Sequence, residues 1–81
     1  MSYSITEQVR DIVADALELP TASVSLNASM ATMDQWDSIK QLTIVMAVED
    51  AFGIQLEPEE IALVTSIAAI VERVGHDART N

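Results

Sequence analysis

The residues best suited to chemistry in this sequence are Asp37 and Ser38, which stand directly before an apolar run that begins at Ile39. A serine nucleophile needs a neighbouring base. The single histidine, His76, lies in a polar tail, and Lys40 would point about 200° around a helix from Ser38. No G-x-S-x-G motif surrounds the serine. The sequence therefore predicts no catalytic residues of its own, and Asp-Ser before an apolar run is typical of a helix N-cap.

Other groups that could support catalysis or metal binding are scarce. The chain contains no cysteine, so any thiol chemistry would have to come from a cofactor. The acidic pairs Glu49-Asp50 and Glu59-Glu60 are adjacent in sequence, which favours a solvated face over a metal site. We therefore predict that the protein is not an enzyme and holds no metal ion.

The composition of the chain disfavours two further classes, nucleic-acid-binding proteins and membrane-spanning proteins. Thirteen acidic residues against four basic ones give a net charge of -9, which disfavours nucleic-acid binding because phosphates would be repelled. No apolar stretch approaches the roughly 18 residues of a membrane span, and no signal-peptide pattern opens the chain. We expect a monomeric cytoplasmic protein with one domain over residues 1–81 and a polar tail from about residue 76. Either its partners are proteins with basic surfaces, or the acidity serves only to keep the protein in solution.

The positions of apolar residues, caps and breakers predict an all-α fold, a small bundle of three main helices plus one short helix. Ser4 and Glu7 form a capping box, Gly53 ends a helix, and Pro58 suits a first helical position. The predicted helices cover residues 4–19, residues 38–52, a short stretch from Pro58, and a last stretch from Thr65 or Ser66 to near Gly75.

The connection between the first two helices is long, at about 17 residues from Pro20 to Trp36. Val24, Leu26 and Met30 are spaced as apolar anchors for the core, so we expect an ordered loop. Trp36, just before the second helix, has two interpretations. It packs as a lid on the edge of the core, or it lies beside whatever Ser38 carries.

The second helix has two apolar faces when its residues are placed at about 100° intervals. One face is suited to a core and comprises Ile44, Val45, Val48, Ala51 and Phe52. The other comprises Ile39, Leu42 and Met46, joined by Glu49 and Asp50. A small bundle buries only one face of each helix. Either the long loop covers the second face, or that face binds a partner through apolar anchors with an acidic rim.

Ser38 could also serve as an acceptor for a group added by another enzyme. The unpaired N–H groups and the dipole at the first turn of a helix stabilise a negative group such as a phosphate ester. Asp37 beside it could help to hold the metal ion that a transferase brings with its phosphorylated donor. Modification by a second protein therefore fits the sequence where self-catalysis does not.

Two stretches, WDSIKQLTIVMAVEDAFGI and LEPEEIALVTSIAAIVERV, resemble an acyl carrier protein of the phosphopantetheine-binding family. The mark of that family is Asp-Ser-Leu at the start of its second helix, which then ends in acidic residues and Phe-Gly. This chain has Asp37-Ser38-Ile39 at the start and Glu49 to Gly53 at the end. The flanking residues stay in register over nearly the whole chain.

The resemblance implies that Ser38 carries 4′-phosphopantetheine, which a separate phosphopantetheinyl transferase would transfer from coenzyme A with Mg²⁺. The arm would supply the thiol that the chain lacks, and acyl groups would ride on it as thioesters. Implied partners are the transferase and acyl- or aminoacyl-loading ligases, synthases or transferases with basic docking patches. The implied contact residues are Asp37, Ile39, Leu42, Met46, Glu49 and Asp50.

Several positions depart from the fatty-acid carriers of this family. Gln35-Trp36 replaces the usual Gly-x, and Ile39 replaces Leu. Lys40 and Thr43 stand where acids are common. The Trp-Asp-Ser opening resembles stand-alone carriers of specialised pathways. The cargo could then be a polyketide, lipid, hydroxyacyl, peptidyl or aminoacyl group. An alternative from another class is an acidic helical adaptor in which Ser38 is only a cap.

Overall fold

A computed structural model describes the backbone of residues 4–80 and the side chains of residues 4–75. The described chain is all-α, which confirms the predicted three main helices and one short helix. The helices are α1 (Ile5–Leu17), α2 (Ser38–Phe52), α3 (Pro58–Ile61) and α4 (Ile67–Thr80), with a 3-10 turn at Thr21–Ser23. Helix α1 packs against both α2 and α4.

Local capping signals account for the ends of α1. The Ser4 hydroxyl accepts the Glu7 N–H at 3.1 Å, and the Glu7 carboxylate accepts the Ser4 N–H, which completes the predicted capping box. The helix ends at Leu17 rather than at residue 19. Glu18 adopts the left-handed conformation with φ 60°, and the Leu19 N–H folds back to the Ala14 carbonyl at 2.9 Å.

The long loop is ordered, as expected, because hydrogen bonds attach it to the start of α4. The Met30 N–H donates to the Thr65 carbonyl at 2.8 Å, and the Ile67 N–H donates to the Ala28 carbonyl at 3.1 Å. Val24 is buried and Met30 packs at the core edge. We call this pair of hydrogen bonds the loop–α4 bridge.

The prediction that Leu26 anchors the loop is wrong, because this side chain is exposed. The Ala28 N–H bonds to the Ser25 carbonyl, and the Asn27 N–H bonds to the Ser25 hydroxyl, so Leu26 lies at the tip of a tight turn. Ala28 occupies the core position instead.

One apolar core lies between α1, α2, α4 and the loop. The predicted core face of α2 is confirmed at Ile44, Val45 and Val48, and Phe52 packs at its edge. The prediction that Ala51 belongs to that face is wrong, because this residue is exposed. The other buried apolar side chains are Val9, Val13, Ala14, Ala16, Leu17, Val24, Ala28, Trp36, Leu56, Val64, Ile67, Ile70 and Val74.

Helix α4 begins as predicted and ends later than predicted. The Ser66 hydroxyl accepts the Ala69 N–H at 3.0 Å, so Ser66 is the cap. The helix continues through Gly75 to Thr80 because Gly75 does not adopt a positive φ, unlike Gly53, whose φ of 64° ends α2. The predicted polar tail is therefore helical in its backbone, and the side chain of His76 lies outside the described residues.

Candidate functional site

Asp37 is the N-cap of α2. Its backbone is extended, its Oδ1 accepts the Lys40 N–H at 2.9 Å, and its carbonyl accepts the Gln41 N–H at 2.8 Å. This is the standard exchange by which an aspartate side chain satisfies an unpaired donor in the first turn. The capping function that the sequence left open between Asp37 and Ser38 therefore belongs to Asp37.

Ser38 occupies the first position of α2 and is exposed. Among the described residues its hydroxyl takes part in no hydrogen bond, and the N–H groups of Ser38 and Ile39 likewise have no acceptor. An accessible hydroxyl beside unpaired donors at the positive end of a helix fits a phosphate ester attached to that oxygen. The residues present therefore suit a covalently attached phosphorylated group.

Trp36 lies inside the core rather than beside the serine. Its side chain is 1% exposed, and its indole N–H donates to the Gln41 Oε1 at 2.7 Å. The Gln41 side-chain amide in turn donates to the carbonyls of Ile61 at 2.8 Å and Val64 at 3.0 Å. The interpretation of Trp36 as a packing residue is confirmed, and the chain around Ser38 is fixed to the far end of α3.

Gln41 is a site residue that the sequence analysis missed. It is the one buried polar side chain among the core residues described. A signal was available, since Gln41 precedes Ile44, Val45 and Val48 by three, four and seven residues and so shares their helix face. Helical spacing places Gln41 on that face. It does not reveal the acceptors of the side-chain amide, because they lie in a distant segment of the chain.

The second apolar face of α2 is open to solvent. The side chains of Ile39, Leu42 and Met46 are 75%, 55% and 68% exposed. The loop therefore leaves this face uncovered, contrary to the first of the two interpretations considered for it. Asp50 is exposed at its rim. Leu63, on the turn after α3, is another large exposed apolar residue, and no periodic pattern in the sequence pointed to it.

Glu49 differs from the other residues predicted for this face. It is half-buried, and its Oε2 accepts the Leu56 N–H at 2.8 Å. The carboxylate therefore holds the segment before α3 against α2. Glu49 therefore has a structural role inside the fold in addition to any contact that it makes with a partner.

Lys40 points towards α1 and away from Ser38, as the helical geometry predicts. Its ammonium lies 3.7 Å from the Glu18 carboxylate, and the lysine side chain is 34% exposed against 83% for the glutamate. Such an exposed pair contributes little to stability. The pair directs the ammonium of Lys40 away from the open face of α2.

No cluster of three or more potential metal-ligating side chains occurs within the described part of the chain. None of the described helices is long and apolar enough to cross a membrane.

Fold and site together define a class: an acidic all-α domain that presents an exposed serine at the first position of its second helix. The family model for a phosphopantetheine attachment site matches residues 7–74. The chain belongs to this family, the phosphopantetheine-binding acyl carrier proteins, and its cofactor is covalent 4′-phosphopantetheine.

Two relatives illustrate the similarity. The chain is 29% identical over 68 residues to acyl carrier protein 3 of Ralstonia nicotianae, a match that covers 84% of this chain and 78% of the relative. It is also 29% identical over 70 residues to the acyl carrier protein of Clostridium acetobutylicum, covering 86% of this chain and 91% of the relative. Membership implies contact with a phosphopantetheinyl transferase and with acyl-handling enzymes.

Proposed function

We propose that Ser38 carries the 4′-phosphopantetheine arm and that this chain is a non-enzymatic carrier in a specialised acyl pathway. The observation that supports this assignment best concerns Ser38: its hydroxyl is exposed and makes no hydrogen bond to the part of the chain that the structure describes, and the N–H groups of Ser38 and Ile39 likewise have no acceptor there. The arm supplies the thiol that a chain without cysteine lacks. Acyl groups would be bound to it as thioesters and delivered to other proteins.

In the attachment step, the Ser38 hydroxyl oxygen forms a bond to the phosphorus of the pantetheine phosphate in coenzyme A. The bond between that phosphorus and the adenosine bisphosphate breaks, and the bisphosphate leaves. The hydroxyl proton goes to a base supplied by the transferase. The first turn of α2 then stabilises the phosphodiester charge, and Asp37 keeps that turn capped.

The experiment is intact-mass measurement after incubation of the chain with coenzyme A, Mg²⁺ and a broad-specificity phosphopantetheinyl transferase. We expect a mass gain of one phosphopantetheine group, located on the peptide that contains Ser38. An unchanged mass with several transferases would support the adaptor alternative and contradict the proposal.

The proposal of a specialised pathway is based on the residues around Ser38. Trp36 replaces the residue that precedes the motif in fatty-acid carriers, and it is committed to the core through Gln41. Lys40 replaces a common acid and is paired with α1. Position 40, which lies beside the open face, therefore offers no acidic group to a basic docking patch.

The open face of α2 is proposed as the docking surface for the transferase and later enzymes. Its apolar anchors, Ile39, Leu42 and Met46, are exposed, and Asp50 adds negative charge at the rim. Exposed apolar anchors with an acidic edge suit a partner surface that is apolar at its centre and basic around it.

Leu42→Glu and Met46→Glu test this surface. Each is expected to lower the kcat/KM of the transferase roughly tenfold, which corresponds to the ~1.4 kcal/mol of a moderate interface contact. Each should change the free energy of unfolding by less than about 0.5 kcal/mol, because the side chains are exposed and glutamate favours helices. Modification rates and urea unfolding measure the two effects.

Leu26→Glu is the matched control, since Leu26 is 45% exposed and lies in the loop rather than on α2. It adds the same charge and should leave the modification rate almost unchanged. Equal loss of rate in all three variants would mean that added negative charge, rather than contact with this face, slows the reaction. Equal loss of stability and rate at Leu42 or Met46 would place that residue in the core.

A further inference from the structure

The sulfur atoms of this chain belong to four methionines, Met1, Met30, Met33 and Met46, because the sequence contains no cysteine. A hydroperoxide oxidises a methionine thioether to the sulfoxide, which turns a flexible apolar side chain into a polar one. The reaction requires that the peroxide reach the sulfur atom. Exposure therefore decides which methionine is a modification site.

Met46 is the most accessible of the methionines whose side chains the structure describes. It is 68% exposed on the surface of α2, whereas Met30 and Met33 are half-buried and pack against the core. Met1 lies outside the described residues. Peroxide dissolved in water should therefore oxidise Met46 before Met30 and Met33.

Met46 lies in the middle of the open face of α2. It follows Leu42 by four residues and precedes Asp50 by four, so the three residues form one row along the helix. Leu42 is 55% exposed, and Asp50 is exposed at the rim. The thioether therefore lies between an apolar anchor and a carboxylate, where a docked partner would cover it.

Oxidation at this position would oppose docking. A partner that covers the sulfoxide oxygen removes a hydrogen-bond acceptor from water, and the Asp50 carboxylate one turn later is itself an acceptor and offers no donor. The fold makes no such demand, because the exposed side chain stays hydrated in either oxidation state. Oxidation should thus weaken docking and leave the folded chain intact.

We propose that Met46 is a redox-sensitive modification site, and that its oxidation by a hydroperoxide slows attachment of the arm by weakening transferase docking on the open face. This inference rests on the proposed functions of Ser38 and of that face. In the reaction, the thioether sulfur attacks one oxygen of the peroxide, so that a sulfur–oxygen bond forms and the oxygen–oxygen bond breaks. The sulfur loses two electrons. The proton of the attacked oxygen passes to the other oxygen, which leaves as water or an alcohol.

The test uses the chain without its arm, because the thiol of an attached arm would itself consume peroxide. Hydrogen peroxide is added and then destroyed with catalase, and peptide mass locates the added oxygen atom. Coenzyme A, Mg²⁺ and a phosphopantetheinyl transferase follow, and intact mass gives the modification rate. We expect kcat/KM to fall roughly fivefold when Met46 is oxidised, a modest loss for covering one unpaired polar group. The urea midpoint should change by less than about 0.3 M.

Met46→Leu is the matched control. This variant keeps an apolar side chain at the position and retains Met1, Met30 and Met33, but peroxide finds no thioether at residue 46. The ratio of its modification rates before and after peroxide should stay close to one, whatever its starting rate. An equal loss of rate in this variant would assign the effect to another residue and overturn the proposal.

Reduction of the sulfoxide gives a second check. Methionine sulfoxide reductases A and B, supplied with a dithiol, remove the added oxygen as water while the dithiol becomes a disulfide. This treatment should restore the original modification rate. A rate that stays low after mass shows complete reduction would mean that peroxide damaged another group, and it would contradict the role of Met46.

The outcomes distinguish this inference from the proposed function. An unoxidised chain that gains no phosphopantetheine contradicts the assignment of Ser38 and, with it, this inference. If the unoxidised chain is modified and oxidation of Met46 leaves the rate unchanged, the carrier function stands and the redox-sensitive site is overturned. A large fall in the urea midpoint on oxidation would also overturn it, because the rate would then be lost through unfolding rather than through docking.

Discussion

Replacement of Ser38 by alanine is expected to abolish phosphopantetheine attachment while leaving the free energy of unfolding almost unchanged. The reaction requires the hydroxyl oxygen, and no other residue in the first turn of α2 offers one. The folded chain makes no use of that oxygen within its described part, and Asp37 retains the cap. Intact mass should show no gain, and urea unfolding should shift by less than about 0.5 kcal/mol.

Two controls sharpen this prediction. Ser4→Ala removes a serine that does cap a helix, so it should cost about 1 kcal/mol and leave modification unaffected. Asp37→Asn keeps an oxygen acceptor for the Lys40 N–H, so loss of modification in this variant would assign the carboxylate charge to the transfer step. Continued modification of Ser38→Ala would show that another residue carries the arm.

Gln41→Ala is expected to lower the free energy of unfolding by roughly 3 kcal/mol, the largest stability loss that we predict for a single residue. The substitution leaves the Trp36 indole N–H and the Val64 carbonyl in a buried region without their partner, and it frees the Ile61 carbonyl at the edge. For a domain of this size the melting temperature should fall by roughly 10 °C or more. Urea and thermal unfolding followed by circular dichroism measure both quantities.

Gln35→Ala supplies the comparison at an exposed glutamine six residues earlier. It should change stability by less than about 0.5 kcal/mol. Similar stabilities for Gln41→Ala and Gln35→Ala would mean that water enters and satisfies the freed groups. The indole of Trp36, the only tryptophan, gives an independent check through its fluorescence, which should shift to longer wavelength only when Gln41 is replaced.

Features with a local physical cause were predictable from the sequence. The start of α2 at Ser38, its end at Gly53 and the start of α3 at Pro58 each depend on the conformational limits or hydrogen-bonding capacity of one or two residues. The division of α2 into two apolar faces follows from helical spacing, whereas spacing left open whether the long loop covers the second face. The side chains of Ile39, Leu42 and Met46 are exposed, and helical spacing places them on the side of α2 that faces away from the core.

Errors arose where residue type does not fix the local backbone conformation. Gly75 looked like a helix end, yet α4 continues through it, because a glycine ends a helix only where it adopts a left-handed conformation. Leu26 looked like an anchor, but the turn at Ser25 directs it outwards. Periodicity identifies apolar residues without fixing the backbone that carries them.

The sequence alone could not predict the polar contacts of the site, because each contact involves a second segment of the chain. The sequence does not show that Gln41 meets the carbonyls of Ile61 and Val64, or that Glu49 binds the Leu56 N–H. These bonds join segments whose relative placement depends on the whole core. Glu49 was therefore expected to face a partner alone, although its carboxylate also stabilises the chain before α3.

The loop–α4 bridge determines how the domain would bear mechanical load. Its two hydrogen bonds join Met30 to Thr65 and Ala28 to Ile67. Helices α2 and α3, with Ser38, therefore lie in the chain segment between the bonded residues. A tension applied to the two ends of the chain would pass through α1, the bridge and α4. While these bonds hold, the helix that bears Ser38 experiences little of that force.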